Sequence, residues 1–181
     1  MVENNSMIEN LPAFITVLPM IAAAAIPFVT NSYFAWLTSL LICLVSLLNS
    51  FFLYDKFKLV GKISYAFGNW EPPWGIEFVI DGANIGLIIL VAFISLIITF
   101  YSRFSLFSEI VSKDIPKAYS AWLLCIGSLN GLIMTADAFN LFVFLETSAL
   151  SSITLIALGA GSDKRALLAS YNYLIIGAIG A

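Results

Sequence analysis

Six long stretches of nearly unbroken apolar side chains dominate the sequence, at 11–29, 33–54, 82–101, 117–136, 139–160 and 166–181. An apolar run of about 20 residues spans the hydrocarbon core of a bilayer as a helix. Lipid offers no hydrogen bonds, so such a run must satisfy its backbone within itself. The pattern therefore predicts an all-α polytopic membrane protein of about six transmembrane helices. The last run has sixteen residues, roughly 24 Å of helix, against a core of about 30 Å. It is still apolar where it stops, so the chain reads as the leading portion of something longer. The first run is preceded by Glu3 and Glu9 and no basic residue, unlike a signal peptide, and is expected to stay as a helix.

Composition agrees. Of 181 residues, 61% are hydrophobic and 10% charged, and mean hydropathy is +0.99. A soluble domain has about 25% charged residues. The net charge of −3 excludes a nucleic-acid binder, and the absence of histidine excludes a histidine-ligated metal or a histidine base. Cys43 and Cys125 lie inside apolar runs without metal-ligand spacing and are expected to be small buried residues. No cofactor or metal set is legible. A membrane-embedded enzyme would need a nucleophile with its base, or a metal, and neither is visible, so no catalytic chemistry of its own is expected.

Basic residues orient the spans. Lys56, Lys58 and Lys62 fall on one side; Arg103, Lys113, Lys164 and Arg165, with Lys117 at a helix edge, fall on the other. The more basic side faces the cytoplasm. The expectation is a multi-pass plasma-membrane protein with its N-terminus outside. The one long connection, 55–81, holds two β-prone stretches around Pro72-Pro73-Trp74-Gly75. That predicts an outer hairpin between helices 2 and 3. The 102–116 segment is mildly amphipathic and is expected along the inner surface. Glycines four apart, Gly82 with Gly86 and Gly127 with Gly131, have the spacing that lets helices approach closely. Gly159-Ala160-Gly161-Ser162 lacks the Gly-Lys-Ser/Thr of a phosphate loop and reads as a helix end.

Ionisable groups inside a span are costly. Glu146 is the one acid well inside a run, seven residues after Phe139 and so about 10 Å along the helix. It is either a proton-carrying carboxylate or a structural acid bonded to a neighbouring helix. Phe139, Phe142, Leu150 and Ile153 share its face; Ser148, Ser151 and Ser152 lie opposite. Helix 5 is thus polar on more than one face and is expected inside a bundle. Asp137, at the helix mouth, is either an N-cap or a group at the proton entry. No lysine or arginine lies where it would neutralise Glu146.

The stretch Asp-Ala-Phe-Asn-Leu-Phe-Val-Phe-Leu-Glu-Thr-Ser-Ala-Leu-Ser-Ser at 137–152 resembles the fifth helix of the antiporter-like membrane subunits. That family includes the Mrp D component of sodium/proton antiporters and the proton-pumping subunits of complex I and membrane-bound hydrogenases. Gly-Asn-Trp-Glu-Pro-Pro-Trp-Gly-Ile-Glu-Phe-Val-Ile-Asp at 68–81 is similar to the hairpin leading into their third helix. The resemblance implies one transmembrane domain over 1–181, three leading helices and then a five-helix repeat starting at about residue 117. It implies proton translocation, alone or exchanged for sodium, coupled to antiport or to quinone or hydrogenase redox chemistry. Glu146 would pair with a lysine on a seventh helix, beyond these residues. The implied partners are the lipid bilayer and other membrane subunits of such an assembly. Asn172 stands where many relatives carry lysine. The alternative is a non-conducting structural subunit or the product of a split gene.

Overall fold

A computed structural model describes residues 10–70, 74–161 and 163–180. The sequence features at Glu3, Glu9, Pro72, Pro73 and Ser162 lie outside the described residues. The described residues form six α-helices: α1 (Leu11–Ala25), α2 (Ser32–Val60), α3 (Gly82–Glu109), α4 (Ile115–Met134), α5 (Ala138–Leu158) and α6 (Arg165–Gly180). A two-stranded antiparallel hairpin, β1 (Ile63–Ala66) and β2 (Glu77–Ile80), joins α2 to α3, with Ile63 opposite Ile80 and Ala66 opposite Glu77.

Helix starts follow local chemistry. Asp81 caps α3 by accepting hydrogen bonds from the N–H groups of Ala83 and Asn84, both at 2.9 Å. Asn31 caps α2 through the Tyr33 N–H. Pro12 and Pro116 occupy first turns, where no N–H is needed. α1 continues through Pro19, and a short 3-10 turn, Ile26–Phe28, absorbs Pro27. Two connections are shorter than the sequence suggests. α2 stays helical through Asp55, Lys56 and Lys58 to Val60. α3 runs on to Glu109, so most of the expected inner segment continues that helix, leaving only 110–114 as a turn. Charged and polar residues cost little helix propensity once the chain has left the membrane core.

Among the described residues, four stretches are long and apolar enough to cross a membrane: Leu11–Phe28, Ser32–Val60, Gly82–Glu109 and Ala138–Leu158. The other two helices fall short for different reasons. α6 has 16 residues. α4 has 20 but carries Lys117, Ser120, Ser128 and Asn130; Lys117 is exposed in the first turn and paired with Asp114, and Ser128 and Asn130 are tolerated because the helix is the buried axis of the bundle. It packs against α1, α2, α3 and α5, and 13 of its residues are buried.

Helices do not associate in lipid by hydrophobic burial, because lipid is as apolar as leucine; close van der Waals packing takes that role. The α2–α3 seam shows how. Ser39, Cys43, Ser46 and Ser50 face Ala92, Ser95 and Thr99, all buried and all small. Ser39, Ser50 and Thr99 each donate to a carbonyl four residues back, at 2.7–2.8 Å, so these hydroxyls need no partner across the seam. At one end Trp36 Nε1 donates to Thr99 O at 3.0 Å and Trp122 Nε1 to Thr99 Oγ1 at 2.8 Å. Both thiols are free and buried, Cys43 beside Thr99 at 3.3 Å and Cys125 beside Ser152 at 3.7 Å.

The two glycine pairs behave differently. A side chain at Gly86 would meet nothing within 4 Å, and one at Gly82 only Phe57 at 3.7 Å. Gly127 sits against α1: a Cβ there would lie 2.6 Å from Met20 Cγ and 3.0 Å from the Thr16 carbonyl oxygen. Gly127→Ala should therefore push α1 off α4 and destabilise the protein by about 1–3 kcal/mol, as overpacking does. Thermal unfolding of the purified membrane protein checks this. Gly86→Ala, measured beside it, should be neutral or slightly stabilising.

Candidate functional site

α5 starts at Asp137, whose Oδ1 accepts a hydrogen bond from the Phe139 N–H at 3.1 Å. The carboxylate thus holds the first turn and faces the positive end of the helix. Just before it, the chain between α4 and α5 is bonded to the hairpin. Phe78 forms an antiparallel bridge with Thr135, and Ala136 N–H donates to Glu77 O at 3.0 Å. The mouth of α5 is therefore fastened to β2.

The register of α5 on α4 follows from two contacts. A Cβ at Gly131 would lie 2.6 Å from two ring atoms of Phe144, so that ring rests directly on the glycine. Two turns further along α5, Ser152 meets Cys125. These contacts make the helices antiparallel and bring Asn130 level with Glu146. Asn140 and Ser151 are the buried residues of α5, and with Phe144 they define its α4-facing side. At about 100° per residue, Glu146 stands roughly 140° round from that side.

Glu146 is half-buried, and it makes no hydrogen bond or ion pair among the described residues. The ion pairs found there are Lys117–Asp114 at 2.7 Å and Arg165–Asp163 at 3.0 Å, both in or beside turns. In each, hydrogen bonds from the basic residue hold the carboxyl below the ordinary aspartate range. Phe139, Phe142 and Leu150, which share the Glu146 face, are exposed. The expectation that α5 lies inside a bundle is thus met in part: α4 packs on one side and α6 on another, while Phe139, Phe142 and Leu150 beside Glu146 stay exposed.

Two grooves flank this helix. One, of about 500 Å³, lies between α5 and α6; Ile153, two turns from Glu146 on the same face, lines it with Ser170, Tyr171 and Lys164. The other, of about 200 Å³, is an apolar slot at the far end of α5, between Tyr101, Leu106, Tyr119, Trp122 and Leu155. Asn172 of α6 is exposed. Among the described residues no group of three or more histidine, cysteine, aspartate or glutamate side chains could hold a metal.

Buried polarity of a second kind escapes sequence reading. Thr16 Oγ1, Ser46 Oγ and both side-chain atoms of Asn130 are enclosed on mutually packed α1, α2 and α4 without a protein hydrogen-bond partner. Asn130 is an amide inside an apolar run, which is costly there. Thr16 and Ser46 carry no such sign in the sequence, since a hydroxyl in an apolar helix ordinarily bonds back to its own backbone.

The fold and this site define a class: a helical membrane protein with a carboxylate inside a span, unpaired among the described residues, on a helix whose start is fastened to a hairpin. The comparisons agree on the fold. No protein-family model matches the chain. It is 42% identical over 117 residues to the N component of the NADH-quinone oxidoreductase of Desulforudis audaxviator, covering 65% of this chain and 23% of that protein. It is 32% identical over 109 residues to the D component of the Na+/H+ antiporter of Alkalihalophilus pseudofirmus, covering 60% of this chain and 21% of that protein. Its structure superposes on a chain of the membrane-bound sulfane sulfur reductase, an archaeal respiratory membrane complex, with a TM-score of 0.81 and 28% identity, covering 94% of this chain and 34% of that one. The Mrp complex of Dietzia shares the fold at a TM-score of 0.79 and 20% identity, covering 96% of this chain and 33% of that one. The resemblance drawn from residues 137–152 is borne out: the relatives are antiporter-like membrane subunits. The chain spans less than a quarter of the length of the two curated relatives and about a third of the solved neighbours.

A buried hydroxyl without a partner destabilises the fold, so removing it while keeping the shape should help. Thr16→Val is expected to raise unfolding stability by about 1 kcal/mol or leave it unchanged, read by thermal denaturation in detergent. A clear loss would show that the hydroxyl has a partner in the assembled protein.

Proposed function

We propose that this chain is the leading portion of a proton-translocating, antiporter-like subunit, and that Glu146 is its proton carrier. One observation carries the reading: a carboxylate about 10 Å inside a membrane helix, unpaired among the described residues and turned away from α4. A carboxylate at such depth needs a counter-charge, water or a proton. A group that exchanges these as its surroundings change moves a proton.

The remainder of the polypeptide covers the Glu146 face and brings the cation, a lysine in the reading by resemblance. The helices of this chain then divide at about residue 117, with α1–α3 leading and α4–α6 opening the first five-helix repeat. The partners are further membrane subunits, as for the relatives named as components of antiporter and respiratory complexes. Proton movement is coupled to sodium exchange or to redox chemistry held in those subunits. Asp137 is the cap of α5 and lies where a proton from the outer side would enter.

The protein sits in the plasma membrane with its N-terminus outside, on the less basic side. A single cysteine at Asn69 should react with an impermeant thiol reagent in intact cells, and one at Lys113 only after permeabilisation. The reverse pattern inverts the topology.

In the full-length polypeptide, Glu146→Gln should abolish proton-coupled transport while the protein still assembles. Glutamine keeps volume and hydrogen bonding but carries no proton at neutral pH. Glu146→Asp should retain partial transport. Proton uptake into everted vesicles measures both. Wild-type transport in the Gln variant would make Glu146 a structural acid and favour a non-conducting subunit.

A further inference from the structure

We propose that the outer hairpin sets the rotation of α5, and with it the reach of Glu146, through Phe78 pressing on Phe144. The proposal rests on the reading of Glu146 as the proton carrier and names what holds that carrier in place.

Phe144 is two residues from Glu146 on the same helix. Its ring lies on Gly131 of α4, where a Cβ would come within 2.6 Å. A glycine offers a ring a flat floor with no wall, so this contact sets how closely α5 approaches α4 at that level and does not by itself fix the ring sideways. The buried residues Asn140 and Ser151 add little restraint: the Asn140 amide nitrogen has no partner, and Ser151 donates to Thr147 O of its own helix. The wall is supplied by Phe78, whose ring centroid stands 6.1 Å from that of Phe144 at an interplanar angle of 51°.

Phe78 is itself held on several sides. It is fully buried, and its ring meets Phe67 edge-on at 4.8 Å and 87°. Its backbone is bridged to Thr135, and the neighbouring Glu77 carbonyl accepts from Ala136 N–H. The hairpin is tied in turn to the start of α1, where Tyr65 Oη donates to Asn10 Oδ1 at 2.8 Å. β2 thus grips α5 twice, by backbone just before its cap and by side chain two turns in.

The lever is short. Side chains stand about 5 Å from a helix axis, so a 1 Å shift of the Phe144 ring turns α5 by about 10° and swings the Glu146 carboxyl by a similar ~1 Å. Misplacing a reacting group by that much costs up to about a hundredfold in rate. Phe78 and Gly131 are therefore positioning residues, acting on the proton through Phe144.

The experiment uses the full-length polypeptide in its membrane assembly, with proton transport followed against pH in everted vesicles and assembly followed by co-purification of the neighbouring subunits. Gly131→Ala lifts the ring; Phe78→Leu keeps the hairpin's apolar volume but removes its ring edge. Both should assemble, lower transport by about tenfold or more, and move the pH of half-maximal transport by at least about half a unit. Gly131→Ala with Phe144→Leu, where the smaller side chain makes room for the added methyl, should restore any lost assembly but not the wild-type midpoint, because the ring that Phe78 presses on is gone. Tyr65→Phe, which loosens the hairpin from α1 and leaves the ring contact, should keep the wild-type midpoint.

Wild-type rate and midpoint in Gly131→Ala and Phe78→Leu overturn the proposal. So does failure of both to assemble without rescue by Phe144→Leu, which would make the contact a matter of stability alone. A Glu146→Gln variant in the same series separates the two readings. If it transports normally, the carrier assignment fails; if it is inactive while the ring variants behave as wild type, only the positioning role fails.

Discussion

The two glycines of α4 decide how close its neighbours come. In lipid, apolar surface gains nothing by leaving one hydrocarbon for another, so helices hold together by surface fit and by the few hydrogen bonds between them. Gly127 lets the backbone of α1 come down onto α4, and Gly131 lets the ring of Phe144 do so from α5. With both sides closed, α4 is covered along most of its length, and its polar residues are tolerated there. A bulkier axis would space the surrounding helices apart and expose Asn130 and Ser128 to lipid.

The same close fit carries a cost in polarity. Asn130, Thr16 and Ser46 are enclosed where the helices meet, with polar atoms that find no protein partner. The apolar clusters on either side, one around Ile15, Leu53, Phe78 and Met134 and one around Trp36, Cys43, Tyr119 and Ile126, are complete by comparison. The bundle is thus firm at both ends and polar near the level of Glu146. α5 adds to this asymmetry: Ser151 and Ser152 lie toward α4 and the carboxylate lies away from it.

Much of this was legible in order along the chain. The six apolar runs became six helices, because a backbone in lipid has no alternative to hydrogen-bonding itself. The β-prone stretches within 55–81 became the two paired strands, and Asp137 and Asp81 became caps, because these are local interactions within a short length of chain. Where the sequence reading went astray, the reason was non-local. The apolar runs mark the hydrocarbon boundary and not the helix boundary, so α2 and α3 continue past theirs. The Gly82–Gly86 spacing matched Gly127–Gly131, yet only the latter has a helix packed against it.

The sequence by itself determined that this is a helical membrane protein, where its spans begin, and that one carboxylate lies inside a span. Each follows from the solvent and from neighbours along the chain. Only the tertiary structure decided that α4 is the axis, that Phe144 rests on Gly131 beneath Phe78, and that Glu146 faces away from α4. Those depend on which helix lies beside which, and a one-residue change of register, about 100° of rotation, would have turned the carboxylate elsewhere without altering the apolar pattern.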